Sequence, residues 1–155
     1  MAEELSSLDI SILELMQKNA DLSTGEIAEA VGLSQSPCWR RIQRLKDEGY
    51  IRKQVALLDR SKLGESFYIF ASLKMATLTP PERAEFMRKI ETIPEILESY
   101  TLFGERDVMI KVYALSMSWY QDFVFNVLMK LPGVLDIQAT VTIAELKYTT
   151  AIPLR

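Results

Sequence analysis

The chain has 155 residues, of which 48% are hydrophobic and 25% are charged, and its formal net charge at pH 7 is −3. This balance is typical of a globular protein and excludes a disordered chain. With no histidine and a single cysteine, Cys38, the sequence excludes an internal disulfide, the usual metal-ligand sets and Cys–His or Ser–His catalytic pairs, so we expect no catalytic residue, metal or cofactor.

The first residues, MAEELSSLD, are acidic and lack the apolar segment of a signal peptide. No apolar run approaches the roughly 18 residues of a membrane-spanning helix. We therefore predict a soluble, cytoplasmic protein with no membrane partner. Basic side chains are concentrated in residues 36–60, next to an acidic N-terminal segment. Such a basic segment is typical of a focused phosphate-binding site.

Apolar spacing predicts three helices in the first fifty residues. The stripe of the first helix consists of Leu8, Ile12, Leu15 and Met16. Ser23 or Thr24 caps the second helix, which ends at Gly32 in the left-handed conformation. Ser34 caps the third helix. The second and third helices together form a predicted helix-turn-helix.

The third helix has one apolar face and one polar face. Cys38, Ile42 and Leu45 form the inward stripe, so Cys38 is predicted to be a packed core thiol. The opposite face carries Ser36, Trp39, Arg40, Gln43 and, slightly rotated, Arg44. Such side chains reach phosphates and base edges in a major groove of DNA. The alternative is a solvated basic helix with its tryptophan packed on a neighbour.

The order of these motifs resembles the N-terminal domain of the Lrp/AsnC (leucine-responsive, feast/famine) family. The matching segments are Leu8-Asp9, Ile27-Ala28, Val31-Gly32-Leu33-Ser34, Ser36-Pro37, Arg40-Arg41-Ile42, Arg44-Leu45 and Gly49-Tyr50-Ile51. The resemblance implies a winged-type helix-turn-helix in residues 1–60 that binds double-stranded DNA as a dimer, with residues 50–58 as a hinge strand. The expected DNA-contacting residues are Ser34, Gln35, Ser36, Trp39, Arg40, Arg41, Gln43 and Arg44.

The remaining residues alternate with a period of two, which is typical of strands. We predict strands at residues 67–75, 96–103, 108–115 and 135–146, with capping boxes that begin helices at Thr79 and Ser118. Residues 93–98 parallel residues 131–136, so a strand-helix-strand unit is repeated. The predicted fold is therefore α+β, with a βαββαβ ferredoxin-like domain in residues 61–155 and both helices on one side of the sheet.

The sheet face without helices is predicted to be apolar. Tyr68 and Phe70 lie on it in the first strand, and the third strand offers either Val108, Ile110 and Val112 or Met109, Tyr113 and Leu115. A sheet that is apolar on both faces must be covered on both. The simplest way to cover the face without helices is a second copy of the chain, which predicts a two-fold homodimer.

This second region resembles the regulatory domain of the same family, known as RAM. The resemblance rests on Gly104 and Asp107 of a G-x-x-D turn, on residues 131–134 and on residues 145–150. It implies a small-molecule effector, usually an amino acid, bound where dimers assemble into rings, typically octamers. The expected effector-binding residues are Gly104, Glu105, Arg106, Asp107, Thr140 and Thr142. The alternative is a plain hairpin turn with glycine at positive φ.

Two other functions compete with an effector-responsive transcriptional regulator. The siroheme decarboxylases resemble the same two-domain architecture, but they generally rely on histidine, which this chain lacks. The second alternative is a RAM-type ligand-binding or assembly module whose helix-turn-helix no longer contacts DNA. The polar side chains on the outer face of the third helix argue against it, because Arg40, Gln43 and Arg44 are all present. RNA binding by the sheet is disfavoured because no strand carries the basic, glycine and aromatic pattern that stacks bases.

Overall fold

The computed structural model describes residues 5–154, which form two compact units. The second unit is Leu58–Leu146, and the first unit combines the chain up to Leu57 with the segment from Lys147 onward. Residues 147–154 thus group with the first unit, whereas the sequence places them in the second domain. The reason is local: the backbone of Ile152 exchanges two hydrogen bonds with the Gln17 side chain, and Leu154 packs on the core of the first unit.

The first unit contains the three predicted helices. They are α1 (Ser7–Lys18), α2 (Thr24–Val31) and α3 (Gln35–Asp47). Ser6 and Ser23 begin α1 and α2 through reciprocal capping boxes with Asp9 and Glu26, so Ser23 rather than Thr24 is the cap. Gly32 ends α2 with φ 72°, the left-handed conformation that the sequence predicted.

The apolar stripes of these helices meet in one small core. Its buried members are Ile12, Leu13, Ile27, Ala28, Cys38, Ile42 and Leu45. Cys38 is completely buried, and burial raises the pKa of its thiol although the charge of Arg41 acts in the opposite direction. The thiol is therefore a core group, as predicted.

The predicted hinge strand at residues 50–58 is wrong for the single chain. This segment forms no strand with any other part of residues 5–154. A strand exists only where a neighbour accepts and donates its backbone hydrogen bonds. Three apolar residues of this segment are more than half exposed: Val55, Leu57 and Leu58.

The second unit is a four-stranded sheet with two helices. Its elements are β1 (Phe67–Met75), α4 (Pro80–Thr92), β2 (Ile96–Thr101), β3 (Val108–Ala114), α5 (Met117–Asn126) and β4 (Val134–Val141), with 3-10 turns at Arg60–Lys62 and Leu128–Lys130. The strand order is β2-β3-β1-β4, and all neighbours are antiparallel. This is the predicted ferredoxin-like arrangement. The strand β4 ends at Val141, opposite Ile69, rather than at residue 146. Since β1 begins at Phe67, it offers no partner to residues 144–146.

Both helices pack on the same face of the sheet, as predicted. Ile69, Ala71 and Leu73 of β1 are fully buried beneath Phe86 of α4 and Phe123 of α5. The capping box at Thr79 is confirmed, because Glu82 accepts from both the amide and the hydroxyl of Thr79. The capping box expected at Ser118 is wrong.

The helix α5 instead begins after Ser116, whose hydroxyl accepts from the amide of Trp119 at 3.1 Å. A serine two residues earlier in the chain already satisfies the first turn, so the cap at Ser118 is not used. Tyr120 and Phe123 of α5 are buried in the core, and Trp119 stacks on the Phe123 ring at 5.0 Å.

The outer sheet face is mixed rather than apolar. Because side chains alternate along a strand, the neighbours of the buried β1 residues point away from the helices. The outer face carries Tyr68, Phe70, Ser72, Met109, Lys111 and Tyr113, which are paired across β1 and β3. Of the two alternatives for β3, the face with Met109 and Tyr113 points outward. Cations also lie on this face: Arg60 and Lys111 are 4.6 and 4.5 Å from the centre of the Tyr68 ring.

Candidate functional site

The start of α3 is open to solvent. The turn that precedes it is closed by a 2.8 Å hydrogen bond from the Leu33 amide to the Ala28 carbonyl. Ser34 directly precedes α3 at the predicted cap position, but its hydroxyl makes no capping bond to the helix. Ser34, Gln35, Ser36 and Arg40 are exposed, and Trp39 is 53% exposed. A helix start with free amides and hydroxyls favours contact with an anionic group such as a phosphate.

Two α3 arginines point instead toward α1, where they meet a buried carboxylate. Asp9 is 1% exposed, and its two oxygens accept from Arg41 at 2.9 Å and from Arg44 at 2.7 Å. The hydroxyl and amide of Ser6 also donate to Asp9, at 2.6 and 3.1 Å. A buried charge is tolerated when it is paired and hydrogen-bonded in this way.

These contacts change the acidity of Asp9. Burial alone would raise its pKa, but the hydrogen bonds from Ser6, Arg41 and Arg44 outweigh burial and lower the pKa from 3.8 to about 2. The carboxylate is therefore ionised at neutral pH and holds α3 against α1.

The structure divides the eight residues predicted to contact DNA into two groups. Six lie on the open surface or at its edge: Ser34, Gln35, Ser36, Trp39, Arg40 and Gln43. The guanidinium groups of Arg41 and Arg44 are bonded to Asp9, so they hold the helix in place within the first unit. Helical phase explains Arg41, which lies only about 60° from the buried stripe, whereas Arg40 lies opposite to it. Arg44 lies close to Arg40 around the helix, and it pairs with Asp9 because α1 packs beside it. No local pattern in the sequence indicates this buried ion pair, because Asp9 and the two arginines are more than thirty residues apart.

In the second unit, the turn with Gly104–Asp107 is held firmly to the sheet. The Asp107 carboxylate accepts from the Met75 amide at 2.8 Å and lies 3.2 Å from Lys74 Nζ. The Lys74 ammonium also donates to the Glu105 carbonyl, and Arg106 pairs with Asp136 of β4. The Met75 amide and Lys74 hold the pKa of Asp107 below its usual range. Asp107 is therefore a charged group that fixes the turn.

Gly104 does not have the positive φ that the plain-hairpin alternative requires. A Cβ built on it would meet no atom within 4 Å. Neither backbone conformation nor packing within this chain requires glycine here. A residue without a side chain at such a site favours close approach by a group from outside the chain.

The predicted effector residues are not brought together by a single chain. Asp107 lies beside Met75, at the end of β1, whereas Thr140 is paired with Phe70. The Thr142 hydroxyl is bonded to both backbone groups of Tyr68, at the opposite end of β1. Five to seven strand residues separate the two positions, about 17 to 23 Å at 3.3 Å per residue.

A cavity of about 710 Å³ opens beside Asp107, between α4 and the ends of β1 and β2. Its apolar lining is formed by Met75, Ala76, Leu78, Phe86, Met87, Ile90 and Val108, and its polar lining by Thr77, Arg83, Glu91, Ser99, Thr101 and Asp107. Of the polar residues, the sequence identified only Asp107. Thr77 comes from the loop between β1 and α4, and the others come from α4 and from alternate positions of β2. Only the packing of α4 on the sheet brings them together.

Residues 5–154 contain no helix long and apolar enough to cross a membrane. The same part of the chain holds no group of three or more acidic, histidine or cysteine side chains arranged to bind a metal ion.

Comparison with known proteins identifies both units. Residues 69–152 match the family described as Lrp/AsnC ligand binding domain. The chain belongs to the Lrp/AsnC family. Residues 5–52 of this regulator also match the family described as winged helix-turn-helix DNA-binding. The predicted architecture, and its function as a DNA-binding transcriptional regulator with a ligand-binding domain, are thereby confirmed.

Similar proteins cover nearly the whole regulator. The glutamate uptake regulatory protein of Zymomonas mobilis is 34% identical over 99% of this chain and 93% of its own length. The transcriptional activator DecR of Escherichia coli is 32% identical over 97% of this chain and 99% of its own length. A transcriptional regulator of Neisseria meningitidis, solved as a complex with L-Met, superposes with a TM-score of 0.90 at 32% identity and covers 97% of both chains.

Proposed function

We propose that this Lrp/AsnC regulator binds operator DNA through the exposed face of α3. The proposed contacts are Ser34, Gln35, Ser36, Trp39, Arg40 and Gln43, while Arg41 and Arg44 orient the helix through Asp9. The observation that carries this proposal is the division of the α3 arginines: Arg40 is exposed, whereas Arg41 and Arg44 are bonded to a buried carboxylate. A firmly held helix with a free polar face suits insertion into a major groove.

Anisotropy of a labelled duplex from the regulator's own upstream region tests this assignment at two salt concentrations. We expect Arg40→Ala to weaken binding by about 1–3 kcal/mol if Arg40 contacts a base, or to lower the salt slope by about one if it contacts a phosphate. Arg88→Ala, an exposed arginine of α4, is the matched control. Binding by Arg40→Ala equal to wild type at both salt concentrations would contradict the assignment.

We also propose that the regulator is a homodimer formed through the outer sheet face. This face combines tyrosine, phenylalanine and methionine with a few cations, the composition that protein interfaces favour. A dimer presents two α3 helices to two half-sites about one helical turn of DNA apart. As a DNA-binding protein it would act in the cytoplasm, by binding rather than by catalysis.

We propose further that an amino-acid effector binds at the turn of Gly104, Glu105, Arg106 and Asp107, and that dimers assemble there into a ring, in the form of an octamer. The bare backbone at Gly104 and the carboxylate of Asp107 support this. Thr140 and Thr142 lie too far along the sheet to join the same turn, so they would come from another copy. The L-Met complex of the Neisseria regulator supports an amino acid as ligand.

Light scattering of the full chain with and without amino acids tests the assembly. We expect a mass of dimers or multiples of dimers, and a change in mass when an effector is added. A monomer under both conditions would contradict both proposals about assembly.

A further inference from the structure

We infer that Trp39 reads thymine methyl groups in the major groove, so that each operator half-site carries thymine opposite the first turns of α3. The inference deepens the proposed function and rests on it, since it takes for granted that the exposed face of α3 enters the groove. It adds the feature of the DNA that the apolar side chain of this face selects.

Trp39 is the single apolar side chain among the six proposed DNA contacts. Tryptophan is highly buried on average, yet this side chain is more than half exposed. Within residues 5–154 its indole stacks on no aromatic ring, and the indole N–H donates to no acceptor. Packing inside the first unit therefore leaves much of the ring surface available to a group from outside the chain.

The position of Trp39 on α3 keeps it away from the contact with α1. Successive residues of a helix are turned by about 100°, which places Trp39 on one flank of the buried stripe and Arg41 on the other. Arg41 binds Asp9 of α1, so Trp39 points away from this ion pair. Ser36, three residues before Trp39, and Gln43, four residues after it, complete a row of neighbouring side chains along the helix.

The chemistry of the major groove offers one partner for an apolar ring. Base edges there present hydrogen-bond donors and acceptors, and an indole pressed against them would remove their water without replacing its hydrogen bonds. The C5 methyl group of thymine is the apolar group on these edges, and apolar side chains contact it. The minor groove, about 6 Å wide, does not admit a helix, so Trp39 cannot act as a wedge between base steps there. Burial of the exposed indole therefore favours thymine.

The neighbours of Trp39 supply the polar part of the recognition. Arg40 is exposed, and its guanidinium suits guanine O6 and N7, while the Gln43 amide suits adenine N6 and N7. Four residues lie between the positions of Trp39 and Gln43 along the numbering, about 6 Å along the helix axis and nearly two base-pair steps of about 3.4 Å. We expect thymine within about two base pairs of the purine that these side chains contact.

Deoxyuridine substitution tests the contact, because deoxyuridine differs from thymidine only by the missing methyl group. The probe is a duplex that the wild-type chain selects from a random pool, and each thymine is replaced in turn. Fluorescence anisotropy measures the dissociation constant for each duplex. We expect one replacement in each half-site to weaken wild-type binding about fourfold, which corresponds to about 0.8 kcal/mol, the value of one buried methylene group.

Variants of Trp39 show whether this side chain contacts the methyl group. We expect Trp39→Ala to bind the thymine and deoxyuridine duplexes within about 1.5-fold of each other, while Trp39→Phe keeps an apolar ring and a partial response. Arg40→Ala is the matched control: it should bind both duplexes more weakly but retain the difference between them. Since Trp39 is more than half exposed, its variants should unfold thermally like wild type.

Tryptophan fluorescence provides a measurement without any change at Trp39. In the Trp119→Phe background, Trp39 is the remaining tryptophan of the chain. We expect the selected duplex to shield it from acrylamide quenching, and quenching that DNA leaves unchanged would overturn the inference.

The outcomes separate the inference from the proposed function. If Trp39→Ala responds to deoxyuridine like wild type, or if no replacement affects wild-type binding, Trp39 does not read thymine. The proposed DNA-binding face of α3 then still stands, as long as Arg40→Ala weakens binding. If Arg40→Ala binds the selected duplex like wild type, the proposed face is wrong, and this inference with it.

Discussion

Replacing Asp9 by asparagine removes the negative charge on which two arginines of the DNA-binding unit converge. The change keeps the size of the side chain and one acceptor for the Ser6 amide. It leaves the guanidinium groups of Arg41 and Arg44 facing a neutral amide. We therefore expect the first unit to lose stability while its apolar core stays intact.

The magnitude follows from the pKa of Asp9. Its value falls from 3.8 to about 2, and each pKa unit corresponds to about 1.4 kcal/mol, so ionised Asp9 stabilises the folded unit by about 2 kcal/mol. Removing one partner of a fully buried ion pair costs more, about 3–5 kcal/mol. Here the side chains of Arg41 and Arg44 are 33% and 38% exposed, so water can solvate them in the variant. We therefore expect Asp9→Asn to lower the free energy of unfolding by the smaller amount, about 2 kcal/mol.

The assay is urea unfolding followed by the fluorescence of Trp39. The chain has two tryptophans, and Trp119 lies in the second unit, so Trp119→Phe is used as the background. Glu14→Gln is the matched control, because it is the same kind of change at an exposed position of α1. We expect Asp9→Asn to unfold at a lower urea concentration by an amount equivalent to about 2 kcal/mol, and the control to match the background.

The pH dependence of the unfolding free energy provides a second test. Because folding lowers the pKa of Asp9, its contribution is complete above about pH 4 and is lost as the pH falls toward 2. The stability difference between background and Asp9→Asn should therefore shrink over this interval. Equal stability of Asp9→Asn and Glu14→Gln at pH 7, or a difference that does not depend on pH, would refute the role assigned to the buried carboxylate.

Three further substitutions test the second unit. Gly104→Ala should leave thermal unfolding unchanged, since the added Cβ meets nothing, but should weaken amino-acid binding in calorimetry; unaltered binding would remove Gly104 from the site. Gly133→Ala should destabilise the unit by about 1–2 kcal/mol in urea, because φ is 75° and the Cβ would overlap Leu78; wild-type stability would show that the turn relaxes freely. Phe70→Asp should convert the dimer to a monomer in sedimentation by placing a charge in the proposed interface, and an unchanged dimer would place the interface elsewhere.

Local patterns in the sequence determined most of the architecture. Periods of 3.6 and two placed the helices and strands, Gly32 marked the end of α2, and the capping box at Thr79 marked the start of α4. These signals involve residues within about four positions of one another, so the chain carries them without tertiary context. The order of motifs then pointed to the Lrp/AsnC family, which the comparisons confirmed.

Neighbours distant in sequence decided the rest. The segment at residues 50–58 and the end of β4 fall short of the predicted strands because a strand needs a partner, and a local pattern does not say whether one is present. Likewise, the α3 arginines look alike in sequence, and only the position of α1 makes Arg44 a partner of Asp9 while Arg40 stays exposed. The cavity beside Asp107 exists only where α4 crosses the sheet, so residues such as Arg83 gain their significance from packing and not from any motif.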